Sequence, residues 1–253
     1  MLRSIKNLTD YRIESIDGNI GHVDSFLFDD RNWTIRYLII DTGTWLPGRK
    51  VLIVPSALGE PEGQAEVFPV ELTRDEIENS PDIDTDKSVS RQHEIELHKY
   101  YDWAPYWGGS LGAGVSPYAP VDTFADKEME ARHDAGIKTK EKGESHLRST
   151  HEVIGYKIHA EDGLIGHIDD FIAQEKDWII RYIVADTRNW LPGRKVLVPP
   201  DWIKEIDWRN SEVVANVKKE VIKSSPDYDP AAPVNREYET RLYDYYGRPK
   251  YWL

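Results

Sequence analysis

His22 with Asp24, and His167 with Asp169, are the His/Asp pairs that the chain presents twice at equivalent positions. On a strand, residues i and i+2 share a face, so each imidazole is expected beside its carboxylate. Such a couple is where a metal site or a proton-transfer site begins, and these four residues are the candidate ligand pairs. Zinc takes three or four ligands, and a couple supplies two, so the competing reading is a solvated face or a local hydrogen bond. No metal and no cofactor is assigned. His93-Glu94 followed by His98 approaches the zinc-helix signature, but the spacing is five residues where that signature has four. At about 100° per residue the two rings point about 140° apart and cannot share a metal.

Arg36 and Arg181 each stand beside a tyrosine in an apolar run, where a guanidinium must find a carboxylate; Asp41 and Asp186, or Asp24 and Asp169, are the expected partners. Trp45, Arg49 and Lys50, repeated as Trp190, Arg194 and Lys195, set an aromatic and two cations around a Pro-Gly turn. Tryptophan and arginine are favoured interface anchors, so these six residues are the candidate interaction surface. The alternative is that Trp45 closes the end of the fold. No nucleophile with a base and an orienting group can be assembled by spacing, so no catalytic residue is expected and the chain is read as a non-enzyme.

The elements that must carry these residues are strands first. From Tyr11 to Leu58, short runs of Ile, Val, Tyr and Trp are punctuated by Asp17-Gly18, Asp29-Asp30 and Pro47-Gly48, a hairpin pattern. Trp33, Ile35, Tyr37 and Ile39 alternate on one face of a largely buried strand. Leu46-Pro47-Gly48-Arg49 suits a type II turn, with proline presetting φ and glycine accepting a positive one. The period then changes: Val89, His93, Leu97, Tyr100 and Tyr101, like Val234, Tyr238, Leu242, Tyr245 and Tyr246, form one helical stripe with charges on the remaining faces. The tails Tyr100 to Trp107 and Tyr243 to Trp252 are too apolar to stay in water.

All of this occurs twice. At an offset of 145 residues the chain aligns with itself without a gap, and Trp45 to Leu52 meets Trp190 to Leu197 without a substitution. That period is longer than the 20 to 50 residues of solenoid units, so each copy is expected to bury its own core. The expected organisation is residues 1–107, a flexible Gly/Pro/charged linker over 108–147, and residues 148–253. With 40% apolar and 30% charged residues the chain has material for cores. A net charge of −13 opposes nucleic-acid binding. Cysteine is absent, which excludes disulfides and thiolate chemistry and fits a reducing compartment. No run approaches the roughly 18 apolar residues of a membrane span.

The run Gly-x-Ile-Gly-His, Trp-x-Ile-Arg-Tyr, Asp-Thr and Trp-Leu-Pro-Gly-Arg-Lys-Val-Leu, followed by Ser-Pro-Asp, resembles the PRC-barrel family, named for the cytoplasmic barrel of the photosynthetic reaction centre H subunit. The resemblance implies a mainly β fold with minor α: two small antiparallel β-barrels, each followed by a C-terminal helix and an aromatic tail. It also implies an interaction or regulatory module; the gap-free repeat and the apolar tails add the expectation that the two barrels pair with each other or in a homo-oligomer and meet a protein partner, in the cytoplasm. The alternatives are a metal- or pH-sensing binder and a peripheral factor of a photosynthetic or stress-related membrane assembly. No functional residue comes with the family name.

Overall fold

β-branched and aromatic runs cut by Asp-Gly and Pro-Gly give thirteen strands in a computed structural model, which describes residues 1–60, 65–82, 89–107, 146–187 and 194–253. The chain divides into two units, one comprising Met1–Glu78 with His146–Leu253 and the other Asn79–Ser145. In the first unit the strands are β1 (Leu2–Ser4), β2 (Arg12–Ser15), β3 (Gly18–Asp29), β4 (Thr34–Asp41), β5 (Lys50–Ile53) and β6 (Val67–Pro69). The second repeat supplies β7 (Leu147–Ser149), β8 (Lys157–Ala160), β9 (Gly163–Gln174), β10 (Ile179–Asp186), β11 (Lys195–Val198), β12 (Ile203–Asp207) and β13 (Glu212–Ala215). The helices are α1 (Arg74–Glu78), α2 (Arg91–Tyr101), α3 (Thr150–Val153), α4 (Lys219–Lys223) and α5 (Arg236–Tyr246), of which α2 lies in the second unit. The fold is mainly β with minor α.

Each repeat is an antiparallel meander, β2-β3-β4-β5 and β8-β9-β10-β11. A parallel pair joins the meander to the later strand, β2 with β6 and β8 with β13. The expectation of a purely antiparallel sheet is therefore corrected at this pair: β6 and β13 come back after a crossover and run beside the first meander strand. Gly21 and Gly166 recur because the strands cross closely there; a Cβ would lie 2.0 Å from the Asp41 carbonyl oxygen and 1.9 Å from that of Asp186.

The two copies do not keep separate sheets. All thirteen strands belong to one sheet system. β1 does not pair within its own repeat but with β9, Leu2 opposite Gln174 and Ser4 opposite Ile172. β7 returns the favour on β3, Leu147 opposite Asp29 and Ser149 opposite Leu27. The two long strands can serve both neighbours on one edge because they have twelve residues each: the first half takes β2 or β8, the second half the arm from the other repeat.

The repeats also meet at β4 and β10, where Thr34 faces Ile179, its own equivalent at the offset of 145. Trp33 and Trp178 precede that point with φ of 56° and 55°. The left-handed turn leaves each tryptophan carbonyl accepting across the seam, from Ile180 N–H at 2.7 Å and from Ile35 N–H at 2.8 Å. This places Trp33 in a turn, not on the strand face that alternation predicted: a non-glycine residue at positive φ is invisible to a period-2 pattern. Phe28 meets Phe171 with ring centres 5.7 Å apart, and Phe26 meets Trp178 at 6.2 Å, so aromatic packing crosses the seam as well.

α5 lays Tyr238, Leu242 and Tyr246 on the strand residues Ile172, Tyr182, Val184 and Leu197, as the helical stripe predicted, and Val234, which precedes the helix, packs there too. Tyr245, also in that stripe, is instead 40% exposed. In the second unit, α2 is capped by the Ser90 hydroxyl and ends at Asp102 in the left-handed conformation. That turn sends Trp103 to Trp107 back along the helix, where His98 contacts the rings of Trp103, Tyr106 and Trp107. Leu147, expected in the linker, opens β7; residues 108–145 of that linker lie outside the described residues.

Candidate functional site

The His/Asp pairs are separated by bulges. Between Val23 and Ser25 the register of β3 on β4 shifts, leaving Asp24 as the extra residue, and the same shift leaves Asp169 unpaired on β9. A bulge re-aims the side chain, so the i, i+2 rule that joined each aspartate to its histidine fails at this position. Asp24 instead accepts from Lys50 Nζ at 3.1 Å and from the Ser25 hydroxyl at 3.0 Å. Asp169 is clasped by Lys195 Nζ and Lys6 Nζ, both at 2.7 Å. Burial would push the Asp169 carboxyl up, but hydrogen bonds from Lys195 and Lys6 and their charges outweigh it and hold it below the usual carboxylate range. A divalent ion would have to displace these ammonium groups. His22 and His167 stay half-buried opposite Asp41 and Asp186 on the neighbouring strand. Among the described residues no group of three His, Cys, Asp or Glu side chains stands close enough to hold a metal. On α2, His93 is exposed while His98 is buried, its Nδ1 3.2 Å from the Trp103 carbonyl and its pKa lowered by desolvation.

The second pair of bulges falls on Arg36 and Arg181, and it changes their partners too. Arg36 reaches Asp29 at 3.5 Å. Arg181 reaches Asp177 at 2.5 Å and Gln174 at 2.9 Å, with its guanidinium 4.5 Å from the centre of the Tyr251 ring. Each arginine is thus ion-paired with an aspartate of its own hairpin, Asp29 and Asp177.

The 45–50 loop has the expected type II turn: Gly48 has φ of 78° and Arg49 N–H donates to the Leu46 carbonyl at 3.0 Å. The Thr42 hydroxyl sits 2.8 Å from the Leu46 carbonyl and 2.7 Å from that of Arg49, tying the loop to the end of β4. Arg49 donates to the carbonyl of Glu78, the last residue of α1. Arg194 does the same at α4, reaching the carbonyls of Lys223 and Ser225 and the carboxylate of Asp227. Guanidinium groups are suited to satisfying carbonyls left open at a helix end. With Lys50 and Lys195 held by aspartates, the four cations of the candidate surface anchor the loop to its own repeat. Trp45 is half-buried beneath Arg74, whose guanidinium lies 4.6 Å from the ring centre, and Pro47 and Gly48 are exposed. Trp190 lies outside the described residues.

Sequence reasoning missed Asp170 and two buried carboxylates on helices. Glu239, 1% exposed, accepts from the hydroxyls of Tyr182 and Tyr251, each at 2.7 Å, and pairs with Arg236 at 2.9 Å. Burial and the Glu239 contact raise both phenols, Tyr182 far above its ordinary value and Tyr251 to about 12. In the second unit Glu94, 2% exposed, holds the Tyr106 hydroxyl at 2.5 Å and Arg91 at 2.9 Å. Both arginines also cover a tail tryptophan, Arg91 over Trp107 at 4.4 Å and Arg236 over Trp252 at 4.2 Å. The readable signal was the recurrence of Arg-x-x-Glu at the same offset, on a face assigned to solvent. These two helix carboxylates each fasten a helix to its tail.

Two shallow cavities flank Tyr251. One of about 170 Å³ is lined by residues including Trp33, Arg181, Pro199 and Tyr243, and one of about 300 Å³ by residues including Leu2, Val234 and Arg236. Ligand pockets usually begin at about 300 Å³. Among the described residues no helix is long and apolar enough to cross a membrane.

No curated protein matches the chain. The family model of the PRC-barrel domain matches residues 146–222, the stretch that begins at β7 and ends in α4, and the match does not extend to the first repeat. The meander, the returning parallel strand and the family match thus coincide in the second half of the chain, where residues 146–222 are similar to the PRC-barrel domain.

Proposed function

We propose that this chain is a non-catalytic interaction or regulatory module of the cytoplasm, built as a pseudo-twofold pair of PRC-barrels that binds a protein partner. PRC-barrel domains often mediate protein interactions. The bounds 1–107 and 148–253 remain part of the proposal, with the second repeat drawn back to take in His146 and Leu147.

The observation that carries the reading is the 45–50 loop. Arg49, Lys50 and Thr42 fasten it at three points, yet Pro47 and Gly48 are exposed and Trp45 keeps part of its ring at the surface. A loop ordered in advance loses little entropy on binding, and a half-exposed tryptophan supplies the kind of area on which interfaces concentrate their energy. The charge of −13 directs the partner class away from nucleic acid.

Cross-linked capture from the native cell tests this with wild type, Trp45→Ala and an exposed control, Lys204→Glu. Loss of the captured partners with Trp45→Ala and their retention with the control, at unchanged melting temperature, is expected. Equal capture by all three removes the loop from the interface.

A further inference from the structure

The seat occupied by β1 is built to read a particular segment. Its edge is Ile172 to Gln174, which pairs with Leu2 to Ser4. Glu175 takes Arg3, Asp170 takes the Ser4 hydroxyl at 2.5 Å and Lys6 N–H at 3.0 Å, and Asp169 takes Lys6 Nζ. The Phe171 carbonyl accepts from Ile5 N–H at 2.8 Å, and Ile5 and Leu8 of the arm are fully buried. Backbone pairing gives such a strand its affinity, and the three carboxylates choose a segment with cations at its second and fifth seated positions. Nothing in these contacts depends on how the arm is joined to β2, because the joint, Thr9-Asp10, lies outside the seat. Asp10 there has φ of 71°, a left-handed conformation that costs a non-glycine residue energy. A strained joint between an arm and its body favours exchange between copies.

We propose that the β9 seat is a strand-addition site for the arm of a second copy of this chain, so that two chains exchange residues 2–8 reciprocally. Each copy loses the contacts of its own arm and regains identical ones from its neighbour. The exchanged pair therefore gains population with concentration and becomes prominent as the chain approaches the millimolar effective concentration of a short tether. The proposal is independent of the Trp45 loop.

The absence of cysteine makes a clean trap available. Leu2→Cys and Gln174→Cys chains, whose new thiols are register partners only across the seat, are mixed, unfolded, refolded together at rising concentration and oxidised. The Leu2→Cys/Gln174→Cys chain is oxidised when dilute, to show that the seat closes within one molecule. A covalent heterodimer joined at 2–174 and growing with concentration is expected. Internal closure without a heterodimer overturns the exchange, and so does a dimer joined only at 2–2 or 174–174. Failure of internal closure refutes the seat itself. The neighbouring pair Ser4→Cys with Ile172→Cys repeats the measurement should the first substitutions disturb folding.

Discussion

The two exchanged arms begin with the same three residues, Leu-Arg-Ser, and are held in different ways. The arm on β9 adds polar locks to its buried Ile5 and Leu8: Arg3 on Glu175, Lys6 on Asp169, and Ser4 with Lys6 N–H on the buried Asp170. On β3 the residue equivalent to Asp170 is Ser25, and the one equivalent to Ile5 is Thr150, whose hydroxyl accepts from Phe26 N–H at 3.2 Å. There Ser149 turns to cap α3, and Asp30 gathers His146 and Arg148, both at 3.2 Å. Leu147 is buried where Leu2 is only half-buried. One backbone pairing thus accommodates two kinds of lock, and the sequence around the tripeptide decides which.

The sharpest break should come at Asp170. Asp170→Ala leaves the N–H groups of Lys6 and Phe171 without their acceptor and is expected to cost about 3 kcal/mol by denaturant titration, whereas Ser25→Ala at the equivalent place should cost under about 1 kcal/mol. Next, Leu147→Ala should cost about 2 to 3 kcal/mol and Leu2→Ala about 1 kcal/mol, in keeping with their burial; equal costs would remove the packing difference between the arms. Thr150→Val, which withdraws the acceptor from Phe26 N–H, should cost about 1 to 2 kcal/mol and leave the β9 arm unaffected in amide exchange.

Acid offers a finer distinction. Asp169 is depressed in the folded chain, so its contribution is present above the usual carboxylate range and is lost as pH falls through the depressed value. Asp170 is raised, chiefly by burial, so ionisation there opposes the fold and protonation relieves it. Melting temperatures between about pH 6 and about pH 2 should show the relief first and the loss at the acid end, and Asp169→Asn should diminish the second alone. Smallest of all, Lys6→Ala should cost about 0.5 kcal/mol, an effect that shrinks with added salt and is not expected of His151→Ala at the equivalent place.

Much of the fold was legible. Asp17-Gly18 and Pro47-Gly48 marked their turns, the helical stripes found α2 and α5, and the gap-free repeat announced two related halves. The exchange was not legible, because a three-residue strand has no period and Leu2 to Ser4 could pair with either copy of the same edge. The bulges at Asp24 and Asp169 defeated the pleat rule at the residues on which the ligand reading rested. Glu239 read as a solvated helix charge because its phenolic partner Tyr182 lies 57 residues away. Trp45 remained a surface candidate, while the structure gave Arg49 and Arg194 to helix ends.

The reciprocal arms also impose an order on synthesis. While the first repeat leaves the ribosome, the edge of β3 from Leu27 to Asp29 waits for a partner encoded about 120 residues later, and β1 waits for β9 about 170 residues on. The nascent half therefore carries an open strand edge and uncovered aromatic side chains until most of the polypeptide exists, the condition under which chains stick to one another or to a chaperone.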